Sequence, residues 1–289
     1  MTAMKRNVIG SLQKVRLAVK TRRRGMYKGA RASNQLGASL EFSDFRMYQP
    51  GDDVRQIDWN VYGRTQKHYI KRFLDEQELN VALILDATQS MQVIDSKWQR
   101  AKELAAAFSY ITLSGEDRLS FFPIAARDTI GFTRKGSIYS KSVYKEIIQI
   151  SHQESTGSFI ELLKPHNLRN IQVTIIITDG LEEAVKYEAL LKSLVMLKHE
   201  VKFIQLLSKQ EIEPELNGDL KLIDSETAQS LNVSLHASVL ERYKQRLRAH
   251  NKSLEETCKR FAIPYLFVTD SMDLQEFLFH DCRVRGVLR

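Results

Sequence analysis

Two apolar segments far apart in the chain each end in a carboxylate that could serve a metal ion. One covers residues 81–85 and ends in Asp86; the other covers residues 173–178 and ends in Asp179. Apolar runs without alternation are typical of strands buried on both faces of a parallel sheet. Ligands bind beyond the carboxyl ends of such strands, so we expect both aspartates to face one crevice. The hydroxyls of Thr88 and Ser90 follow Asp86, and hard oxygen ligands of this kind suit Mg²⁺.

An aspartate at a strand end is also a common cap or turn former, which needs no ligand. Two such strands together with two spaced hydroxyls favour a metal or phosphate site. The chain has no Gly-x-Ser-x-Gly elbow, phosphate-binding Gly-Lys loop or dinucleotide fingerprint. Thr88 stands where a phosphatase of the haloacid dehalogenase type carries its second Asp, which disfavours an aspartyl-phosphate enzyme.

The spacing Asp86-x-Thr88-x-Ser90 resembles the first motif of the von Willebrand factor A domain, Asp-x-Ser-x-Ser. Residues 155–163 resemble its second loop, with Ser158 at the position usually held by Thr, and residues 178–180 match its third loop. The resemblance implies a metal-ion-dependent adhesion site that holds Mg²⁺ or Mn²⁺. Thr88 and Ser90 would be direct ligands, Ser158 would add an oxygen, and Asp86 and Asp179 would act mainly through water or second-shell hydrogen bonds.

A second resemblance covers most of the chain. Residues 41–59 are similar to the signature of a bacterial family catalogued only as a domain of unknown function, number fifty-eight, and the match continues through residues 63–65, 69–73 and 222–227. The resemblance implies a von Willebrand A-like domain with an N-terminal extension, in a family whose members often occur with AAA+ ATPases of the MoxR type. It implies a fold and a site more than an activity.

The composition is that of a globular protein of 289 residues, long enough for one large domain or two. Cys258 and Cys282 are the only cysteines, which gives neither a disulfide framework nor a zinc pattern. No apolar run is long enough to cross a bilayer, and nothing resembles a signal peptide. We therefore expect a cytoplasmic protein.

The net charge of +8 is concentrated at the N-terminus, because residues 1–40 hold ten Lys or Arg and no acid. Val8, Leu12, Val15 and Val19 recur there at helical spacing, which predicts a basic amphipathic helix. One interpretation is peripheral contact with the inner face of an anionic membrane, helped by the run of arginines at residues 22–24. The other, which we favour, is that the apolar stripe docks on the protein's own core. Nucleic-acid binding is disfavoured because the arm lacks interleaved aromatic residues.

The patterns divide the chain into a basic arm (1–40), a family-signature extension packed on the core (41–77) and a von Willebrand A-like domain (78–289) with a hairpin insertion near 211–235. Alternating helix and strand patterns predict an α/β fold with a mostly parallel sheet flanked by helices. We interpret the dense mixed charge between Arg46 and Arg64 as a structural ion-pair network that clamps the extension onto the A-like domain, in preference to a second site or partner surface. The predicted helices are 97–113, 143–150, 182–197, 238–261 and 272–279, and the further strands are 69–73, 118–123, 128–133, 201–207 and 264–268.

These observations favour a metal-dependent protein-interaction module without enzymatic activity. An open coordination position on the ion would accept an Asp or Glu of a partner protein. The family resemblance suggests a MoxR-type ATPase or its client as that partner. The alternative is a metal-dependent hydrolase on the same sheet, which would need a general base close to the metal and a substrate pocket. The sequence offers no candidate base beyond the two aspartates.

Overall fold

The computed structural model describes residues 6–19, 41–74, 78–125, 131–152, 157–214, 218–223, 230–235 and 237–289. Contacts group these residues into two compact units, a larger one of residues 6–19 and 79–289 and a smaller one that contains residues 41–74. Several residues named above lie outside the described ranges: Arg22, Arg23 and Arg24 of the basic arm, Ser155 and Thr156 of the second loop, and residues 224–227 of the family match.

In chain order the strands are β1 (Glu41–Met47), β2 (Tyr69–Leu74), β3 (Asn80–Asp86), β4 (Arg118–Ile124), β5 (Phe132–Lys135), β6 (Val173–Thr178), β7 (Glu200–Leu207), β8 (Gly218–Ile223), β9 (Ser230–Leu235) and β10 (Tyr265–Thr269). The helices are α1 (Arg6–Leu12), α2 (Trp59–Thr65), α3 (Gln89–Gln92), α4 (Asp95–Ser114), α5 (Ser140–Ile148), α6 (Phe159–Leu163), α7 (Ala184–Met196), α8 (Lys209–Ile212), α9 (Ala237–Arg260), α10 (Leu274–Glu276) and α11 (Cys282–Val284).

The larger unit is built on a six-stranded sheet in the order β10-β7-β6-β3-β4-β5. Every neighbouring pair is parallel except β4 and β5, which are antiparallel. Helices cover both faces, so the central strands β3 and β6 are buried throughout apart from Asn80. The predicted fold class, an α/β fold with a mostly parallel sheet flanked by helices, is confirmed.

The sheet separates two cores because successive strand residues point to opposite faces. Leu83 of β3 packs in the core that contains Phe108 of α4, whereas its neighbour Ile84 packs in the core that contains Tyr187 and Leu191 of α7. Helix α4 begins two residues before the predicted start at residue 97 and is buried along most of its length. Both central strands are therefore held by packing on both faces of the sheet, up to the carboxyl edge where they end.

The N-terminal segment packs on the core of the larger unit. Leu12 and Val15 are fully buried and Val19 is half-buried in the core that contains α4. The predicted helix through Val19 is shorter than expected, because α1 ends at Leu12 and residues 16–18 instead pair with residues 287–289 through backbone hydrogen bonds. Leu12, Val15 and Val19 of the apolar stripe thus pack on the protein itself, and contact of the basic residues with an anionic surface stays a prediction.

The smaller unit is an antiparallel β1–β2 ribbon joined through α2. Asp58 caps α2 by accepting hydrogen bonds from two backbone N–H groups of its first turn, while Arg46 pairs with Asp52 at 2.8 Å. Tyr62 stacks on His68 with ring centroids 4.6 Å apart. Arg46 and Asp52 thus pair within this unit, and ion pairs that clamp residues 41–73 onto the larger unit stay a prediction.

The predicted hairpin near residues 211–235 is present as the antiparallel pair β8–β9, and the long helix predicted from residue 238 is α9. The last predicted helix, 272–279, was wrong in form: α10 passes into a π-helical stretch, Phe277–Asp281, and then into α11. Across the described ranges, no helix is at once long and apolar enough to cross a membrane.

Candidate functional site

The candidate site lies at the carboxyl edge of the sheet, beyond the central strands β3 and β6. These strands are parallel neighbours in register, with Leu85 opposite Ile177. Asp86 closes β3 and Asp179 follows β6, so the structure places both carboxylates at one edge of the sheet. Both are almost fully buried, at 1% and 3% exposure.

The loop after β3 brings three predicted residues into one hydrogen-bonded array. Oδ1 of Asp86 accepts hydrogen bonds from the backbone N–H of Thr88 at 3.0 Å and from its hydroxyl at 2.6 Å. The Thr88 and Ser90 hydroxyl oxygens are 3.1 Å apart. Thr88 is the N-cap residue of α3, yet its side chain makes no capping hydrogen bond to that helix. Asp86 thus forms the turn expected of a strand-end aspartate, and the turn also aligns two hydroxyls beside it.

The other oxygen of Asp86 is held by Thr178, a residue that we did not single out from the sequence. The Thr178 hydroxyl donates to Oδ2 at 2.7 Å and lies 3.2 Å from the Tyr187 hydroxyl. Burial raises the pKa of Asp86 to about 7, and the negative charge of Asp179 adds to this rise, while the hydrogen bonds from Thr88 and Thr178 oppose it. Two buried carboxyl groups therefore lie close together, and their surroundings disfavour the charged form of Asp86.

A buried lysine at this edge was missed by the sequence analysis, which assigned Lys97 only to the start of a helix. Its ammonium lies 3.1 Å from Oδ2 of Asp179, 2.7 Å from Oε1 of Glu211 and 3.2 Å from the backbone carbonyl of Ser90. The side chain is 0% exposed. Burial lowers the pKa of Lys97, but the carboxylates of Asp179 and Glu211 outweigh it, so the pKa is raised and the group stays charged.

The signal that would have located Lys97 is helical spacing. It precedes Ala101 and Leu104 by four and seven positions, and all three lie on the buried side of α4. A lysine on an apolar helix face needs a buried counter-charge, and the aspartates after β3 and β6 were the available candidates.

Ser158, the fifth predicted ligand, lies in a different hydrogen-bonded cluster. It caps α6 by accepting a hydrogen bond from the backbone N–H of Glu161 at 3.3 Å, and its hydroxyl donates to Oε2 of Glu182 at 2.6 Å. Within the described part of the chain, no hydrogen bond joins Ser158 to the other four predicted residues. Its role as a further ligand stays a prediction.

Two histidines that flank the second loop in sequence, His152 and His166, have partners outside the cluster around Asp86. His152 contacts the backbone carbonyl of Gln92 at 3.1 Å, and His166 packs edge-on against Phe122. A third histidine, His250, lies 2.7 Å from the carbonyl of Gly180 and so supports the loop after β6.

Gly180 is required by the backbone of that loop. Its φ of +69° is disfavoured for residues with a side chain, and an added Cβ would lie 2.9 Å from Cδ2 of Leu254. The amide of Gln205 also donates to the backbone carbonyl of Asp179 at 2.8 Å. The backbone around Asp179 is therefore fixed by α9 and β7.

The donor set fits a hard divalent cation. The described residues contain no group of three or more His, Cys, Asp and Glu side chains arranged to hold a metal ion. A site of the predicted type relies instead on hydroxyls, and those of Thr88 and Ser90 are adjacent and flanked by Asp86. The ammonium of Lys97 lies at the same edge, where it pairs with Asp179 and Glu211. Mg²⁺ prefers oxygen ligands and keeps several waters, so few direct carboxylates are needed.

A family model described as "Protein of unknown function DUF58" matches residues 44–253. The chain belongs to this family. Three proteins described as uncharacterized, one from Mycobacterium bovis and two from strains of Mycobacterium tuberculosis, are 25% identical over 274 residues, which cover 91% of this chain and 85% of each relative. The family predicted from residues 41–59 is thereby confirmed.

Solved structures with similar folds share little sequence with this chain. An aerotolerance-related membrane protein from Bacteroides fragilis has a TM-score of 0.44 and 16% identity, and BatB from Bacteroides thetaiotaomicron has 0.37 and 16%; each match covers 72% of this chain and 98% of the other. A manganese-loaded TRAP protein from Plasmodium vivax has 0.32 and 12%, covering 64% of this chain and 74% of its own. Similarities of this size say nothing about what this chain binds.

Proposed function

We propose that this protein is a non-enzymatic interaction module that binds an acidic side chain of a partner protein at the carboxyl edge of its sheet, with Mg²⁺ or Mn²⁺ held by Thr88 and Ser90. The observation that carries the proposal is the buried Asp86–Thr88–Ser90 array at the end of the central strand. A bound divalent ion would supply an electrophilic coordination position for a partner's Asp or Glu.

The protein's own residues supply the positioning. Thr178 fixes one oxygen of Asp86, and the other oxygen orients the hydroxyl of Thr88. Ser90 is half-buried, whereas Asp86 and Thr88 are closed off from solvent. A partner would therefore approach from the side of Ser90, and the two aspartates would lie on the buried side of the site.

The geometry argues against the hydrolase alternative. A general base must reach the proton that it removes. Both oxygens of Asp86 already accept hydrogen bonds, and the residue is 1% exposed. The oxygens of Asp179 accept from Lys97 and from the backbone N–H of Leu181. Neither aspartate is a free base facing solvent.

The first experiment measures binding of Mn²⁺ by titration calorimetry. The wild type should bind one ion, and Ser90→Ala should weaken binding without changing the charge of the site. The Asp86→Ala/Asp179→Ala double variant should abolish it. Ser142→Ala, an exposed serine on α5, is the matched control. Equal binding by the wild type and the double variant would remove the metal from the proposal.

The second experiment identifies the partner. Affinity purification from native cells is performed with wild type, Ser90→Ala and Ser142→Ala, with and without a chelator. We expect a protein that is recovered with wild type and the control but lost with Ser90→Ala or the chelator. A MoxR-type ATPase or its client is the candidate that the family resemblance suggests. Turnover of a phosphoester or peptide that requires Mg²⁺ and Ser90 would instead favour a hydrolase.

A further inference from the structure

The ammonium of Lys97 occupies the side of the site that faces Asp179. It contacts Oδ2 of Asp179, Oε1 of Glu211 and the carbonyl of Ser90, all within 3.2 Å. The other oxygen of Asp179, Oδ1, accepts the backbone N–H of Leu181 at 3.2 Å. Oδ2 of Asp179, the oxygen that does not bond to its own loop, is therefore already paired with the ammonium of Lys97.

We propose that Lys97 is a resident cation that competes with the divalent ion for Asp179, so that ion binding requires Lys97 to withdraw from Asp179 and remain on Glu211. This inference rests on the proposed function, because it concerns the ion assigned there to Thr88 and Ser90. It gives Lys97 a role in setting the affinity of the site for the ion. It gives Glu211 the role of holding the ammonium after it leaves Asp179.

Electrostatics makes the two cations competitors. Like charges repel more strongly in a buried site than in water, because the effective dielectric constant is lower. Lys97 is 0% exposed, so water does not screen its ammonium. It also contacts the carbonyl of Ser90, whose hydroxyl is an assigned ligand of the ion. A divalent ion at Ser90 and an ammonium on Asp179 would therefore oppose each other at close range.

Glu211 is suited to receive the ammonium. Its bond to Lys97 is the shorter of the two ion pairs, 2.7 Å against 3.1 Å. Its Oε2 accepts the backbone N–H of Ser208 at 2.7 Å in a capping box, so the carboxylate is held in place by α8. Glu211 is also the more exposed partner, at 18% against 5% for Asp179. Lys97 can thus release Asp179 while keeping one counter-charge.

The test titrates Mn²⁺ into the full chain and into variants, with circular dichroism to verify folding. Lys97→Met removes the charge and keeps the length, and we expect it to bind Mn²⁺ about tenfold more tightly or better. Glu211→Gln should bind about threefold more weakly, because the ammonium loses its alternative carboxylate. In the Lys97→Met background the same change should have a smaller effect, since the two residues act together. Glu213→Gln, an exposed neighbour, is the matched control.

The outcomes separate this inference from the proposed function. Equal or weaker binding by folded Lys97→Met overturns the competition, while wild-type binding that Ser90→Ala weakens leaves the proposed function standing. Absence of binding by both wild type and folded Lys97→Met overturns both. If Lys97→Met does not fold, the Glu211→Gln variant decides: an affinity equal to that of Glu213→Gln overturns the competition.

Discussion

The two edges of the central sheet each hold a fully buried lysine, and their surroundings differ. Lys97 lies at the carboxyl edge, whereas Lys202, near the start of β7, lies at the amino edge; both side chains are 0% exposed. The ammonium of Lys202 donates to the carbonyls of Ala18 at 2.8 Å and Gly286 at 3.4 Å and pairs with Glu200 at 2.7 Å. It therefore joins both terminal segments to the sheet.

The difference is one of charge balance. At the amino edge one ammonium meets one carboxylate and two backbone carbonyls, so the buried charge is compensated and fixed. At the carboxyl edge one ammonium serves Asp179 and Glu211, and burial together with the charge of Asp179 raises the pKa of Asp86. An excess of buried carboxylates costs stability unless another cation joins them, and such local imbalance is typical of functional sites.

The largest effect is expected from Lys97→Met. In a chelator, the variant should lose about 3–5 kcal/mol of unfolding free energy, because buried carboxylates lose their counter-charge. Added Mn²⁺ should recover part of this loss, since an ion that binds only the folded state stabilises it. Urea unfolding with chelator and with Mn²⁺ measures both quantities. A loss of the same size in both conditions would contradict the view that this edge accepts a cation.

Lys202→Met should destabilise less, by about 2–3 kcal/mol. It leaves two buried carbonyls without their charged donor, but the side chain of Glu200 is 16% exposed and can reach water. The loss should be the same with chelator and with Mn²⁺, because no cation site is expected at the amino edge. Lys192→Met, an exposed lysine on α7, serves as the control. If Mn²⁺ restored the unfolding free energy of Lys202→Met, the two edges would not differ in whether they accept a cation.

The fold could be predicted because its signals are local. The apolar runs that become β3 and β6 and the helical patterns that become α4 and α9 are visible in single segments of sequence. The strand β1 was missed because its pairing with β2 is a contact between segments. The final helix was misjudged because a π-helical stretch at Phe277–Asp281 has no periodic signature.

The site could be predicted only where it follows strand ends. Asp86 and Asp179 were found because parallel strands bring their carboxyl ends together. Glu182 and Glu211 were missed because each contacts the site cluster or Ser158 from a separate element, and sequence spacing carries no such information. Thr178 belongs to the matched third loop, but its hydrogen bond to Asp86 joins two strands and is not visible in the sequence. Ser158 illustrates the converse, since its motif position is clear but its hydroxyl bonds to Glu182.

A smaller effect is expected from Glu211→Gln, about 1 kcal/mol of unfolding free energy in a chelator. The amide keeps one acceptor oxygen, which can serve either Lys97 or the N–H of Ser208, and Lys97 retains Asp179, so one charge and one hydrogen bond of the cluster are lost. Thermal unfolding beside Glu213→Gln measures the difference. A loss as large as that of Lys97→Met would show that Glu211, and not Asp179, is the principal counter-charge.

The smallest effect concerns pH at the amino edge, where His199 is buried and its Nδ1 lies 2.8 Å from the hydroxyl of Thr174. Burial lowers the pKa of His199 below its usual 6.5, and a hydrogen bond with the backbone of Leu168 opposes this. The folded protein therefore binds fewer protons at this site than the unfolded chain, so stability is lost as the pH falls below about 6.5.

Wild type should lose more stability between pH 7 and pH 5 than His199→Gln. The variant His166→Gln, which changes an exposed histidine, should follow wild type. Urea unfolding at each pH, in chelator, gives the comparison. Parallel profiles for wild type and His199→Gln would mean that protonation of His199 does not loosen this edge, and its contribution would then lie in packing and the bond to Thr174 alone.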